Sequence, residues 1–424
     1  MLTPAGYRPR IVDDQIKAAL EVFGTVVLEG PKWCGKTWSA LNQAESVLAV
    51  ADPVNSFANR RLAELDPARA LDGERPRAVD EWQEAPALWD AARHLVDQSN
   101  VKGQFIFTGS AKPVSGVIHS GAGRVGRLRM RTMSLLESGD SSGELSLESL
   151  SEGADPERLP GRMGVVEVAE LVVRGGWPDA LSFTAAQSRI LAHSYLEAIA
   201  NTDMTEVDGV RRDPVRTAAL LTSLARNTAT LVSDTTLRKD IAQHSPVDAS
   251  PNTIRDYLKA LTRLFVLESV PSWVPATRSR ARVRVAPKRF LADSSLAAAA
   301  LGLGPQQLVN DLNTLGFLFE ALCLRDLYVY AGATGLTLHH YHDEHGLEAD
   351  AVLVSPTGDW SAWEIKLGAN QVDQAAQNLL ALRKKLESAG ESPPQTLAVV
   401  VGVGGIAERR SDGVLVLPVD RLGR

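Results

Sequence analysis

With only two cysteines in 424 residues, Cys34 and Cys323, the chain has no disulfide framework, which suits a reducing compartment. There is no excess of positive charge. Against 51 acidic residues stand 45 basic ones, a net charge of −6, so any contact with nucleic acid or an anionic membrane has to be local. Long apolar runs are missing too, since the longest, Leu296 to Leu303, falls far short of the ~20 residues that span a bilayer. The opening residues MLTPAGYRPRIVDD contain no apolar core followed by a small-residue cleavage site, which predicts a cytoplasmic protein without a leader. No internal repeat is visible. The length suits two or three domains, each able to bury a core.

What is present is concentrated in a few motifs. Gly30-Pro31-Lys32-Trp33-Cys34-Gly35-Lys36-Thr37 follows the apolar Thr25-Val26-Val27-Leu28 and fits the phosphate-cradling pattern G-x-x-x-x-G-K-[ST]. Glycines at both ends let backbone N–H groups turn inward on the phosphates, Lys36 reaches the β- and γ-phosphates, and Thr37 ligates Mg²⁺. The helix-like WSALNQAESVL after it supplies the expected context. Mg²⁺ needs a carboxylate and the attacking water an orienting residue, and Ala78-Val79-Asp80-Glu81 offers Asp80 for the first and Glu81 for the second. A helix start, where acids are favoured, is the plain alternative. Gln104-Phe105-Ile106-Phe107-Thr108-Gly109-Ser110 reads as a buried strand ending at a ligand crevice, with Thr108 or Ser110 as γ-phosphate sensor, or as an ordinary strand exit. Cys34 is either an oxidation switch or a small residue filling the loop.

Composition divides the rest. Glu137 to Glu157 holds seven acids and no bases among Ser and Gly, and reads as a flexible acidic insertion, 137–162, in a first domain of residues 1–180. A helical domain, 181–300, should contain a winged helix. Its parts are a short helix at Leu237–Gln243, a longer one opened by Ser250 as N-cap and Pro251 as first residue, and wing strands Phe265-Val266-Leu267 and Lys288-Arg289-Phe290-Leu291. Arg255, Lys259 and Arg263 on the long helix, with Arg278, Arg280, Arg282, Arg284, Lys288 and Arg289, make a basic set suited to phosphate backbones. Alternating arginines also keep an edge strand from aggregating.

The last part, 301–424, carries Asp350 on one strand and Glu364-Ile365-Lys366 on the next. If the strands pair as a hairpin, Asp350 and Glu364 converge on a divalent cation, Mg²⁺ or Mn²⁺, while Lys366 steadies a water or scissile phosphate. Glu320 on a helix and Gln374 on a later one are further members, and a solvated sheet face is the plain alternative. His339, His340, His342 and His345 suggest zinc or, more simply, a polar hairpin.

Together GPKWCGKT, VDEWQ, FTGS, GAGRV at 121–125, GGWP at 175–178 and the Asp350, Glu364, Lys366 triad resemble a prokaryotic family. In it an AAA-type P-loop ATPase precedes an uncharacterised domain with winged-helix and PD-(D/E)XK-nuclease-like parts. The resemblance implies an α/β multidomain fold: a parallel-sheet P-loop NTPase, a mostly helical winged-helix segment and an α/β nuclease-like fold. It implies ATP and Mg²⁺ as ligands, Asp80, Glu81, Thr108 and Ser110 in the roles above, and Arg124 as an arginine finger in cis, or in trans within a homo-oligomer. The expected activity is a nucleotide-driven switch acting on DNA. The alternatives are an ATP-binding scaffold for a protein partner, with the nuclease-like fold inactive, and an ATP-regulated metal-dependent nuclease.

Overall fold

The computed structural model describes residues 2–110, 121–246, 249–274 and 286–424. The chain divides into two units: Met1–Thr132 with Thr202–Arg212 and Lys259–Val266, and Met133–Asn201 with Asp213–Leu258 and Leu267–Arg424. Among the described residues no helix is long and apolar enough to cross a membrane.

The first unit is built on five parallel strands, β1 (Thr25–Glu29), β2 (Ser46–Ala49), β3 (Arg77–Asp80), β4 (Phe105–Gly109) and β5 (Val125–Arg129), in the order β2-β3-β4-β1-β5. The run Thr25-Val26-Val27-Leu28 is buried throughout, as expected of a central strand covered on both faces. Helix Ala87–Ser99 turns Leu88, Trp89, Ala92 and Val96 inward, and Trp82, Trp89, Phe105 and Phe107 form an aromatic cluster beneath it. All five strands point the same way, so their carboxyl ends share one edge. On that edge β4 lies between β1 and β3.

The second unit has a six-stranded mixed sheet of β9 (Thr337–His342), β10 (Glu348–Val354), β11 (Trp360–Gly368), β12 (Thr396–Val403), β13 (Glu408–Arg409) and β14 (Leu415–Pro418), ordered β13-β14-β12-β11-β10-β9. β9, β10 and β11 are antiparallel neighbours, while β11, β12 and β14 are parallel. Helix Leu312–Thr334 precedes β9. Helix Val372–Ser388 joins β11 to β12 and buries Val372, Ala375, Ala376, Leu379, Leu382 and Leu386, one face of a 3.6-residue period.

The expected short helix is present as Asp234–His244 and the longer one as Pro251–Arg263, with Ser250 Oγ accepting from the Thr253 amide at 3.1 Å. Strands β7 (Leu267–Val270) and β8 (Lys288–Leu291) pair antiparallel. The first begins two residues later than expected, because Phe265 has φ +61° and its amide closes a turn on Thr262.

Two expectations about domain limits are corrected. The first unit's leading segment stops at Thr132, not at 180, and Arg174-Gly175-Gly176-Trp177 belongs to the second unit. There Gly176 donates to Asp293 Oδ2 at 2.9 Å and accepts from the Met133 amide at 2.7 Å, and Asp293 in turn pairs with the buried Arg325 at 3.2 Å. The acidic stretch is structured, with helices Leu135–Ser138 and Leu147–Ser151 and a short strand β6 (Leu145–Ser146) that pairs with β15 (Leu422–Gly423). Its leucines decide the matter: Leu145, Leu147 and Leu150 are buried, Asp140 pairs with Arg174, and Glu144 pairs with Arg421.

Candidate functional site

β1 delivers the chain to the phosphate loop at the carboxyl edge of its sheet. Gly35, φ +103°, sits in the left-handed region that side chains avoid, and opens helix Lys36–Gln43 as its N-cap. At Gly30 the demand is for space, because a Cβ would collide with the Met130 carbonyl oxygen. Lys36 is buried and donates to the carbonyls of Gly30 at 3.0 Å and Pro31 at 2.7 Å, which keeps its ammonium inside the loop. Cys34 is fully buried with Sγ 3.9 Å from the Met130 carbonyl, a packing position and not an exposed thiol. Trp33 has φ +64° and is exposed.

The acidic pair lies where the parallel sheet puts it. Asp80, the last residue of β3, accepts from Thr37 Oγ1 at 2.7 Å and from Thr108 Oγ1, on β4, at 2.5 Å. Glu81 adopts φ +53°, ψ +47°, a conformation uncommon for a non-glycine residue and typical of side chains held at a site. Its carboxylate accepts from Ser110 Oγ at 3.2 Å and from Gln83 Nε2, and its amide faces Thr108 Oγ1 at 3.4 Å. Asp80, Glu81, Thr37, Thr108 and Ser110 are therefore one hydrogen-bonded group.

In the second unit, Ala351 pairs with Trp363, which sets Asp350 beside Glu364. Lys366 Nζ lies 2.5 Å from Glu364 Oε2 and 3.2 Å from Asp350 Oδ2, and the Ile365 amide donates to Asp350 Oδ2 at 2.9 Å. Lys288 enters from β8 and bridges Glu320 Oε1 at 2.5 Å and Asp350 Oδ1 at 3.0 Å. Burial opposes the charge of Asp350, but Lys288 and Lys366 overcome it and hold the carboxyl well below its usual range. Glu364 is pushed up to about 9, by burial first and then by the Asp350 charge. Glu320 is raised to about 7 by the same two causes, with Lys288 opposing them. A cleft of about 590 Å³, lined in part by Leu312, Gly316, Phe317, Glu320, Lys366 and Gly368, opens on this cluster.

Residues 23–138 match a family model described as an AAA domain. These residues thus form an AAA-type domain that contains the phosphate loop. Residues 166–307 and 315–422 match two models described only as domains of unknown function, DUF8612 and DUF4143. Comparison with curated proteins gives no match. Similar solved structures include the Walker-type ATPase of Pyrococcus abyssi, at 13% identity over 71% of this chain and 99% of that one, TM-score 0.40. The Aeropyrum pernix ORC1 protein in complex with DNA is 14% identical over 73% of this chain and 97% of that one, TM-score 0.25. Similarities this distant carry no functional argument.

Several expected site residues lie elsewhere. Arg124 precedes β5, its carbonyl accepting from the Thr25 amide at the start of β1, so it stands at the amino edge of the AAA sheet, opposite the phosphate loop, paired with Asp97. A finger role in cis is ruled out by that position. Gln374 is exposed and donates to Asn378 on its own helix, so it is no part of the acidic cluster. Lys288 is buried in that cluster and is not available to a phosphate backbone. Arg289 pairs with Asp234 at 3.0 Å and Arg263 with Asp208 at 3.7 Å, while Arg255 and Lys259 are exposed. Arg278, Arg280, Arg282 and Arg284 lie outside the described residues. Among the described residues no group of three or more His, Cys, Asp and Glu could hold a metal ion, so neither a second cation nor a histidine zinc site gains support. In the acidic cluster the neutralising charge comes from lysines. His340 is buried, and burial first, then the nearby Lys288, lowers it to about 4.

Sequence reasoning missed Arg10. Its guanidinium donates to the Cys34 carbonyl at 2.7 Å and the Arg131 carbonyl at 2.9 Å, tying the phosphate loop to the chain beyond β5. Asp13 takes the Arg10 amide at 2.9 Å and the Tyr7 hydroxyl at 2.7 Å, and that hydroxyl lies 2.9 Å from Ser39 Oγ on the loop's helix. No motif or spacing in the sequence signalled this brace, because its two carbonyl partners lie far along the chain.

Proposed function

We propose that the AAA domain binds ATP with Mg²⁺ and hydrolyses it, and that its nucleotide state acts as a switch on the rest of the chain. The observation that carries this reading is the contact of Thr37 and Thr108 with Asp80, next to a Glu81 held by Ser110 and Gln83. Thr37 and Asp80 offer hard oxygen donors of the kind Mg²⁺ takes, so the residues fit the ion they would hold. When bound, Mg²⁺ supplies neutralisation of phosphate charge. Lys36 orients the β- and γ-phosphates, Glu81 accepts a proton from the attacking water, and Ser110 and Gln83 keep its carboxylate aimed.

Calorimetry and steady-state turnover test this together. Lys36→Ala loses charge-assisted hydrogen bonds worth roughly 1.5–3 kcal/mol, so its ATP affinity should fall about ten- to a hundredfold. Glu81→Gln should bind ATP as the wild type does, while kcat falls by roughly 10²–10⁴. Unchanged affinity in the first variant or unchanged turnover in the second removes the assignment. Adding double-stranded DNA at low and near-physiological salt asks whether DNA is the partner, and an absence of hydrolysis in the wild type favours the scaffold.

The order helix, β9, β10, β11, helix, β12, with Asp350, Glu364 and Lys366 converging below a cleft, supports a second reading as a nuclease-like site. Cleavage there requires a divalent cation to displace Lys288 from Asp350. Mg²⁺- or Mn²⁺-dependent cutting of DNA that is lost in Asp350→Ala supports it, and cutting that persists in that variant removes it.

A further inference from the structure

One carboxylate beside the phosphate loop comes from neither the AAA domain's strands nor its helices. Asp203 ends a π-helical turn, Ile199–Asp203, that follows helix Ala185–Ala198. Wide turns of this kind insert a residue into a helix and re-aim the side chains after it, often at functional sites. Here the turn brings Asp203 Oδ1 to 2.7 Å from Nζ of Lys32, the third residue of the phosphate loop. Segment Thr202–Arg212 belongs to the first unit, but at both ends it continues into residues of the second.

The two partners differ in freedom. The Asp203 side chain is 8% exposed, whereas that of Lys32 is 44% exposed. The chain after Asp203 is tied down: Arg212, itself buried, donates to the Met204 carbonyl at 2.6 Å and grips Asp208 through both terminal nitrogens at 2.7 and 2.8 Å. Arg263 adds a second cation at 3.7 Å from Asp208. A well-buried carboxylate thus holds a half-exposed loop cation. A nucleotide triphosphate bound in this loop would draw on the same ammonium.

We propose that Asp203 is a further residue of the ATP site, a positioning carboxylate that competes with the nucleotide phosphates for Lys32, so that ATP loosens segment 202–212 from the loop. This rests on the ATP-binding reading above. Coupling of this kind is reciprocal: whatever ATP takes from the Lys32–Asp203 pair, the pair takes from ATP affinity. Because the Lys32 side chain is nearly half exposed and so partly screened, the coupling is that of a surface pair, roughly two- to fivefold in affinity.

The test measures ATP affinity by calorimetry, at low and near-physiological salt, for wild type, Asp203→Asn, Asp203→Glu, Lys32→Met and the Lys32→Met/Asp203→Asn double variant. Asp203→Asn should bind ATP about two- to fivefold more tightly, with the gain shrinking as salt rises. Asp203→Glu should restore the wild-type value, and in the Lys32→Met background Asp203→Asn should add no such gain through Lys32. A purely structural staple predicts the opposite sign, weaker ATP binding in Asp203→Asn, and that result or an unchanged affinity overturns the proposal. Should Asp203→Asn fail to fold, hydrogen exchange on the wild type decides. ATP should slow exchange at residues 30–37 and speed it at 202–212, and slowed or unaltered exchange at 202–212 again overturns the role of Asp203. Absence of any ATP binding or loop protection in the wild type instead overturns the ATP reading itself, and this one with it.

Discussion

At the scale of single residues, the phosphate loop is held from outside as much as from within. Arg10 satisfies two main-chain carbonyls at once, those of Cys34 and Arg131, and is 7% exposed. Arg10→Met removes both bonds while keeping most of the aliphatic volume. Buried carbonyls left without a donor cost about 1–3 kcal/mol each, so the variant should melt several degrees lower and bind ATP more weakly, although no atom of Arg10 belongs to the G-x-x-x-x-G-K-[ST] pattern. Scanning calorimetry with and without ATP checks both parts. If affinity is unchanged, the loop does not depend on this brace. The phosphate loop was legible because its G-x-x-x-x-G-K-[ST] pattern is local in sequence and follows a strand; Arg10 was not, because its partners are carbonyls distant in sequence.

Among elements, the turn Arg174-Gly175-Gly176-Trp177 shows how a short motif can be read correctly as important and wrongly as to place. A Cβ at Gly176 would collide with the Met133 carbonyl and crowd Arg325, and the Gly176 amide is spent on Asp293. Gly176→Ala should therefore destabilise the second unit by roughly 1–3 kcal/mol or more, as overpacked sites do, while leaving ATP binding by the first unit intact. Denaturant unfolding followed alongside calorimetric ATP titration tests this, and a loss of ATP binding with unaltered stability would contradict it. Helix Pro251–Arg263 was visible in advance, through its N-cap, its first-turn proline and the spacing of Ile254, Tyr257, Leu258 and Leu261. The acidic stretch misled because composition was weighed above pattern. Leu145, Leu147 and Leu150 carry a strand and a helix into a core, and their partners at Leu422 and Thr396 lie more than two hundred residues away.

For the whole molecule, the modest net charge of −6 conceals a concentrated ionic core in the second unit. Burial first and then the Asp350 charge push Glu364 up to about 9 in the fold, against 4.5 for the free side chain, so the native state keeps a proton that the unfolded chain releases. Between those two values stability must fall as pH rises. Glu364→Gln abolishes this slope: it should melt like the wild type near pH 5 and higher than the wild type near pH 9, by roughly 2–4 °C for each kcal/mol relieved. Parallel melting curves for both proteins at the two pH values check the sign, and equal melting at pH 9 would show that Glu364 is ionised without cost.

Local chemistry and chain order were enough to place the phosphate loop, the Asp80–Glu81 pair, the Thr108–Ser110 exit and the β10–β11 pairing of Asp350 with Glu364. In each case the duty lies within a few residues of a strand end, where alternation and parallel-sheet geometry govern position. Tertiary structure alone decided that Lys288 leaves the basic set to neutralise Glu320 and Asp350, that Arg124 faces away from the loop, and that Asp203 reaches Lys32. Those outcomes depend on which charges meet when distant segments pack. A buried charge must find a partner wherever the fold supplies one, and spacing along the chain carries no record of that choice.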